Sequence, residues 1–376
     1  MGRRFVKDLK SSYHIFMDDS VNLPYKRVHW IDICRGLGII IVIFAHNPLN
    51  YTWIPYAFHM PMFFFLSGLV FNPLKYKSKF RLFVRNRVIT LLVPYVIIGF
   101  ISYFLLTNAP FYYVLPNLKD ELFAIFYGSA NPYVVNQYLT STNIALWFLP
   151  CLFVVELSYE VFNRYLSRQS LLIVLFSCSV IGYLVRIIYP AIVLPWHIET
   201  AITAIVFYGG GVLLRPLLES DLRVFGTFYK YPLFIILVEI CIIFAWWNLS
   251  VSSISKVDLR ANEFGNYFLF YLAAWTGIFS VICFSRIIRQ SAILEYIGKH
   301  SLSLFMWNFI IFDYFYILFS GDAILDTSTF FNQTYHATVF TCLAICIVLL
   351  ADKLFSVLIV GIKRFFKAYS KVSFNG

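Results

Sequence analysis

Residues 35–46 read RGLGIIIVIFAH: an arginine, ten uncharged residues and a histidine. At 100° per residue, eleven helical steps turn 1100°, some 20° from a whole number of turns. Arg35, Ile39, Val42 and His46 therefore share one stripe of a helix, with the polar ends roughly 16 Å apart along the axis. Asp32 lies one turn before Arg35, within pairing reach, and Gly36 and Gly38 leave the helix thin where another helix or a ligand can approach. An ionisable group inside a bilayer is costly, so an arginine and a histidine on one face mark a functional site by default. A snorkelling arginine and a histidine hydrogen-bonded within a bundle are the alternative reading of the same residues.

The rest of the chain supports a bilayer setting. Of its 376 residues 60% are apolar, 20% aromatic and only 13% charged, and the mean hydropathy is +0.75. A soluble domain carries about a quarter charged residues. The expected fold is all-α: a polytopic integral membrane bundle with spans at about 30–50, 57–74, 88–107, 144–163, 170–190, 196–214, 231–249, 266–284, 293–319 and 337–360. With the N-terminus inside, twenty-four Lys and Arg residues fall on the cytoplasmic side, and only Lys119, Arg186, Lys256 and Arg260 fall opposite. Both termini are thus expected in the cytoplasm. That asymmetry accounts for the net charge of +11 without nucleic acid. The opening MGRRFVKDLK lacks the apolar run and cleavage site of a signal peptide. The expected organisation is a basic cytoplasmic segment 1–28, a membrane domain 29–362 and a basic tail 363–376. The seven cysteines form no CxxC or Cys/His cluster and read as small buried hydrophobes, so no metal is expected.

The sizeable stretch between spans, 108–143, is rich in aromatic and amide side chains, which suit carbohydrate as well as a membrane interface. The spans themselves carry a series of motifs. FHMPMFFFLSG (58–68) has His59 at the end expected to lie level with His46, and Ser67 and Gly68 form a polar notch in an aromatic helix. KYKSKFRLFVRNRVITLLVPY (75–95) is a six-cation loop running into a proline-bearing span. LWFLP (146–150), LPWHIETA (194–201), FYGGGVLL (207–214) and YIGKHSLSLFMWN (296–308) follow.

This ordered set resembles the bacterial membrane acyltransferases of family 3, whose members O-acetylate cell-surface sugars. The resemblance rests on Asp32-x-x-Arg35-Gly36 with His46 after ten intervening residues; on His59, Phe63, Phe64, Ser67 and Gly68; on Arg85, Arg87, Pro94 and Tyr95; on Trp147 to Pro150; and on Gly298, Lys299, Ser301 and Leu302. It covers about 30–360, and LPWHIETA before a glycine-rich helix looks most like the fucose O-acetylase-like branch. Two features depart from the pattern. Asn308 stands where many relatives have histidine, and the basic loop offers Arg81, Arg85 and Arg87 in place of a clean Arg-x-x-Arg.

The resemblance implies acetyl-CoA, or a related short acyl-CoA, as donor and a cell-surface or lipid-linked sugar as acceptor, in a bacterial cytoplasmic (inner) membrane. On that reading His46 is the general base, and Arg35, held by Asp32, orients the thioester or binds CoA. His59, Ser67 and Trp147 line the pocket, and His197 and Glu199 meet the acceptor, although interfacial anchoring would also place them there. Arg81, Arg85, Arg87 and Lys299 are expected to meet CoA phosphates, for which cations at the inner face are suited. Imidazole is the side chain fitted to both taking and giving a proton near neutrality. The rival class is a carrier or flippase of lipid-linked saccharide. It calls for paired acids or broken helices in mid-membrane, whereas Glu156, Glu239 and Asp313 are scattered in sequence.

Overall fold

A computed structural model describes residues 28–47, 49–76, 79–107, 118–128, 142–190, 192–219, 227–320 and 334–372. The basic segment through residue 27, most of the 108–143 stretch, Lys77, Arg223 and residues 373–376 lie outside the described residues. The helices are α1 (His29–Ala45), α2 (Trp53–Tyr56), α3 (His59–Leu69), α4 (Phe80–Arg87), α5 (Val93–Thr107), α6 (Leu118–Tyr127), α7 (Phe148–Tyr165), α8 (Arg168–Ile188), α9 (Ile198–Glu219), α10 (Thr227–Ser252), α11 (Tyr267–Ile288), α12 (Ala292–Lys299), α13 (Ser301–Ser320) and α14 (Thr334–Val372). A π-helical turn over Val88–Leu92 joins α4 to α5. It stands just before Pro94, whose missing N–H leaves a carbonyl one turn back without its helical partner.

Among the described residues seven segments are long and apolar enough to cross a membrane: Phe80–Leu106, Ile144–Tyr165, Arg168–Ile188, Pro195–Glu219, Tyr229–Ser252, Tyr267–Ile288 and Thr334–Lys353. The fold is therefore an all-α polytopic membrane bundle. Among these segments α10 is peripheral, with 17% of its apolar window buried. At the centre α3 departs from the expected full span over 57–74. It is an 11-residue helix, about 16 Å long, against a hydrocarbon core of about 30 Å. His59, Met60, Pro61, Met62, Phe64, Phe65, Leu66, Gly68 and Leu69 are all buried, which is why its apolar residues surround the whole helix. The expected span 293–319 is also divided, into α12 and α13, with the break at His300. The 108–143 stretch holds α6, whose Glu121 is buried and accepts hydrogen bonds from the Thr142 backbone N–H (3.0 Å) and hydroxyl (2.7 Å).

Two glycine contacts set how the central helices approach one another. A β-carbon on Gly36 of α1 would run into the Leu294 carbonyl oxygen of α12, and one on Gly298 of α12 would run into the Asp32 carbonyl oxygen of α1. The second contact has the same form. Gly68 of α3 faces the Tyr208 carbonyl oxygen of α9, and Gly211 of α9 faces the Phe65 carbonyl oxygen of α3. Four of the sequence motifs thus meet in two pairs, each pair bringing backbone against backbone. Tyr95 of the Pro-Tyr motif likewise has a structural partner, donating to the Ile125 carbonyl of α6 at 2.7 Å. All seven cysteines are free thiols, and Cys34, Cys151 and Cys241 are buried as expected. Cys342 and Cys346 instead lie exposed on α14, a surface that is apolar because it faces lipid rather than the core.

Gly298→Val should lower the detergent-solubilised thermal midpoint and the yield of folded protein, because overpacking against a rigid backbone costs about 1–3 kcal/mol or more. Leu302→Val, a half-exposed position on the next helix, is the control. An unchanged midpoint for Gly298→Val would show that α1 and α12 can separate at little cost.

Candidate active site

His46 follows the last turn of α1, where the helix ends, and its Nδ1 lies 2.6 Å from the Val42 carbonyl oxygen. A carbonyl oxygen can only accept, so Nδ1 carries the hydrogen and Nε2 presents a lone pair. His59, at the start of α3, repeats the arrangement with Nδ1 2.7 Å from the Pro55 carbonyl oxygen, its ring edge-on to Tyr56 at 4.8 Å. The two imidazoles interact electrostatically with each other and with Lys256 and Asp258. The structure thus brings together the two histidines that the motifs singled out, and adds the connection 253–266 beside them. That connection is ordered: Val257, Leu259 and Phe264 are buried. Asn248 donates to the Phe264 carbonyl at 2.8 Å and accepts from the Asn266 N–H at 2.7 Å. Lys256 stands 3.9 Å above the centroid of the Tyr56 ring. Sequence reasoning passed over this connection, although Lys256, Asp258, Arg260 and Glu263 form a dense charged run in a chain with few charges.

A second cluster forms from LWFLP and LPWHIETA. Trp196 and His197 both adopt left-handed backbone angles, with φ of 59° and 53°. That turn folds the His197 ring back beside Glu199, Nδ1 to Oε1 at 3.2 Å, with both side chains wholly buried. Glu199 also accepts from the Leu194 N–H at 3.1 Å, and the Trp147 ring stands edge-on to His197 at 5.3 Å. Interfacial anchoring is ruled out for the pair, since a side chain with no exposure reaches no interface. Left-handed conformations at two successive non-glycine residues cost energy that the surrounding contacts must hold in place.

Rings link this cluster to the centre: Phe148 packs on Phe64 (4.9 Å), Phe63 (6.3 Å) and Phe305 of α13 (5.3 Å). Phe63 also lies against Gly38 of α1. Trp147 therefore meets His197, and aromatic side chains stand between it and α1. Ser67 turns its hydroxyl back to the Phe63 carbonyl at 2.8 Å, two turns along α3 from His59.

The opposite end of the bundle holds the cations. Arg81, Arg85 and Lys299 are exposed. Arg87 is not available in the same way: its Nε lies 2.8 Å from Glu156, whose side chain is 4% exposed, and its guanidinium covers the Phe83 ring at 5.3 Å. The acid that seemed scattered in sequence is the partner of one of the arginines expected to meet the donor. His300, beside Lys299, is bound to Asp352 of α14 at 3.1 Å, and Ser303 donates to the same carboxylate at 2.7 Å. Asp32 is buried where α1 meets Gly298, and Arg35 is half-buried one turn further along. Among the described residues no group of three His, Cys, Asp or Glu side chains is placed to hold a metal ion.

The chain is thus a polytopic helical membrane bundle with imidazoles at one end of its central helices and exposed cations at the other. Residues 28–353 match the family model described as an acyltransferase domain, that of acyltransferase family 3. The chain belongs to that family and is a membrane acyltransferase. A search of curated proteins matches none to this chain.

Arg87→Gln should destabilise the protein by about 3–5 kcal/mol, because it leaves the Glu156 carboxylate buried and unpaired. Adding Glu156→Gln should restore most of the thermal midpoint, whereas Arg85→Gln should leave it unchanged. Equal midpoints for the Arg87→Gln and Arg85→Gln proteins would remove the structural role of the ion pair.

Proposed function

We propose that the protein is an O-acyltransferase that moves an acetyl or other short acyl group from acyl-CoA to a hydroxyl of a cell-surface or lipid-linked sugar in a bacterial cytoplasmic membrane. The observation that carries this reading is the fixed His46 tautomer, with Nδ1–H committed to Val42 and Nε2 left as a base. Transfer then runs as follows. Nε2 takes the proton of the acceptor hydroxyl as its oxygen attacks the thioester carbonyl carbon. The carbonyl π pair moves to oxygen, then returns as the carbon–sulfur bond breaks, and the imidazolium gives its proton to the departing thiolate. Atoms and charge balance with no cofactor.

The donor's length fits the spacing of the first motif. Twelve bonds separate the CoA sulfur from the oxygen that bears the first phosphate, and at about 1.2 Å of advance per bond an extended arm spans roughly 14 Å. Arg35 and His46 lie roughly 16 Å apart on α1. Arg35 therefore suits the phosphate end of the donor and does not reach a thioester held at His46. Arg81, Arg85 and Lys299, exposed at the same end, extend that cationic surface, while His59 and the 253–266 connection border the acceptor. The His197–Glu199 pair, being wholly buried, supports the wall of the acceptor region through Trp147 and does not itself meet bulk sugar.

His46→Ala should lower acyl transfer by about 10²–10⁴-fold at unchanged abundance, the usual worth of general-base catalysis. A residual rate within about threefold of the parent would end the assignment. Arg35→Lys should weaken donor use, since an ammonium cannot reproduce a planar two-point contact with phosphate.

Purified protein in detergent should bind acetyl-CoA and slowly hydrolyse it. Binding should fall as salt rises and fall further in the Arg81→Gln/Arg85→Gln protein, as exposed charges are screened within about 10 Å at 0.1 M. Absence of CoA binding at low salt in folded protein would favour the saccharide carrier.

A further inference from the structure

The central face of α13 holds a buried acceptor that no part of the mechanism above uses. Asn308 has no solvent exposure. Its Nδ2 donates to the Phe305 carbonyl at 2.7 Å, which fixes the orientation of the carboxamide, because the flipped group would set two oxygens against each other. The Oδ1 atom is then buried with no hydrogen-bond partner among the described residues, a state that proteins rarely leave unrelieved.

The position of Asn308 indicates what relieves it. At 100° per residue, Phe305, Asn308 and Phe312 lie on one face of α13, at +60°, 0° and +40°. Phe305 packs on Phe148 at 5.3 Å, and Phe312 lies 6.4 Å from the His46 ring. Asn308 is thus on the face that meets the catalytic histidine, four residues or about 6 Å from the level of Phe312 towards the end where Arg35 lies. An acyl donor lying between Arg35 and His46 has its first amide nitrogen three bonds from sulfur. That nitrogen trails the thioester carbon by roughly 5 Å.

We infer that Asn308 Oδ1 accepts a hydrogen bond from the amide N–H of the donor's pantetheine arm next to the thioester, and so sets how far the thioester advances towards His46. The inference rests on the acyl-CoA reading above. An amide is matched to this atom because it presents one N–H donor at a fixed distance from sulfur.

The test uses two small thioesters with water as acceptor: S-acetyl-N-acetylcysteamine, which keeps this amide, and S-pentyl thioacetate, which lacks it. The parent should favour the amide-bearing thioester in kcat/KM by about tenfold or more, the usual worth of one buried hydrogen bond. In Asn308→Leu, or in Asn308→Ala should the leucine protein fail to fold, that preference should collapse to within about twofold while amide-free turnover persists. A preference that survives in the folded variants overturns this inference alone and shifts the open oxygen to the acceptor's hydroxyls. A parent inactive on both thioesters and on acetyl-CoA overturns the donor reading itself, and this inference with it.

Discussion

The close approach of backbone to backbone at two glycine pairs is the constraint on which the rest of the bundle depends. Lipid tails are as apolar as leucine, so helices in a bilayer associate through packing and hydrogen bonds rather than by escaping water. Gly36 and Gly298 let α1 and α12 meet at their carbonyls, and Gly68 and Gly211 do the same for α3 and α9. α1 carries Arg35 and His46, α3 begins at His59, and α9 begins beside the His197–Glu199 turn. Adding a single β-carbon at any of these contacts would push apart elements whose spacing fixes the site.

Polar groups inside this frame are held by local hydrogen bonds, each of which also sets chemistry. His46 and His59 donate to carbonyls four residues earlier, so the bond that satisfies each ring also leaves Nε2 as its basic atom. A buried carboxylate is tolerable only with a partner. Glu156 has Arg87, Glu199 has His197, and Glu121 has Thr142. The amide oxygens of Asn47, Asn143, Asn262 and Asn308 depart from this pattern, each buried without a hydrogen-bond partner among the described residues.

The basic loop divides by burial into two parts. Arg81 and Arg85 lie one turn apart and exposed to solvent. Arg87 lies two residues further on, so it turns towards the bundle, and there Glu156 and the Phe83 ring take up its charge. One charged run thus supplies both an exposed cationic surface and an internal tie between α4 and α7.

The sequence by itself determined the membrane class, the shared stripe of Arg35 and His46, and the acyltransferase family. Hydropathy, the 100° helical step and ordered motifs are local properties that survive without coordinates. The paired meeting of the glycine motifs, the shortness of α3 and the Arg87–Glu156 pair were decided only by tertiary structure. Glu156 is 69 positions from Arg87, and Gly298 is 262 from Gly36, so nothing in either neighbourhood signals the other. The 253–266 connection beside His46 was illegible for the same reason: its charges look like ordinary loop residues until α10 and α11 fold it back over the ends of α1 and α3. Composition places a chain in the bilayer, but which polar groups meet there depends on distances that only packing sets.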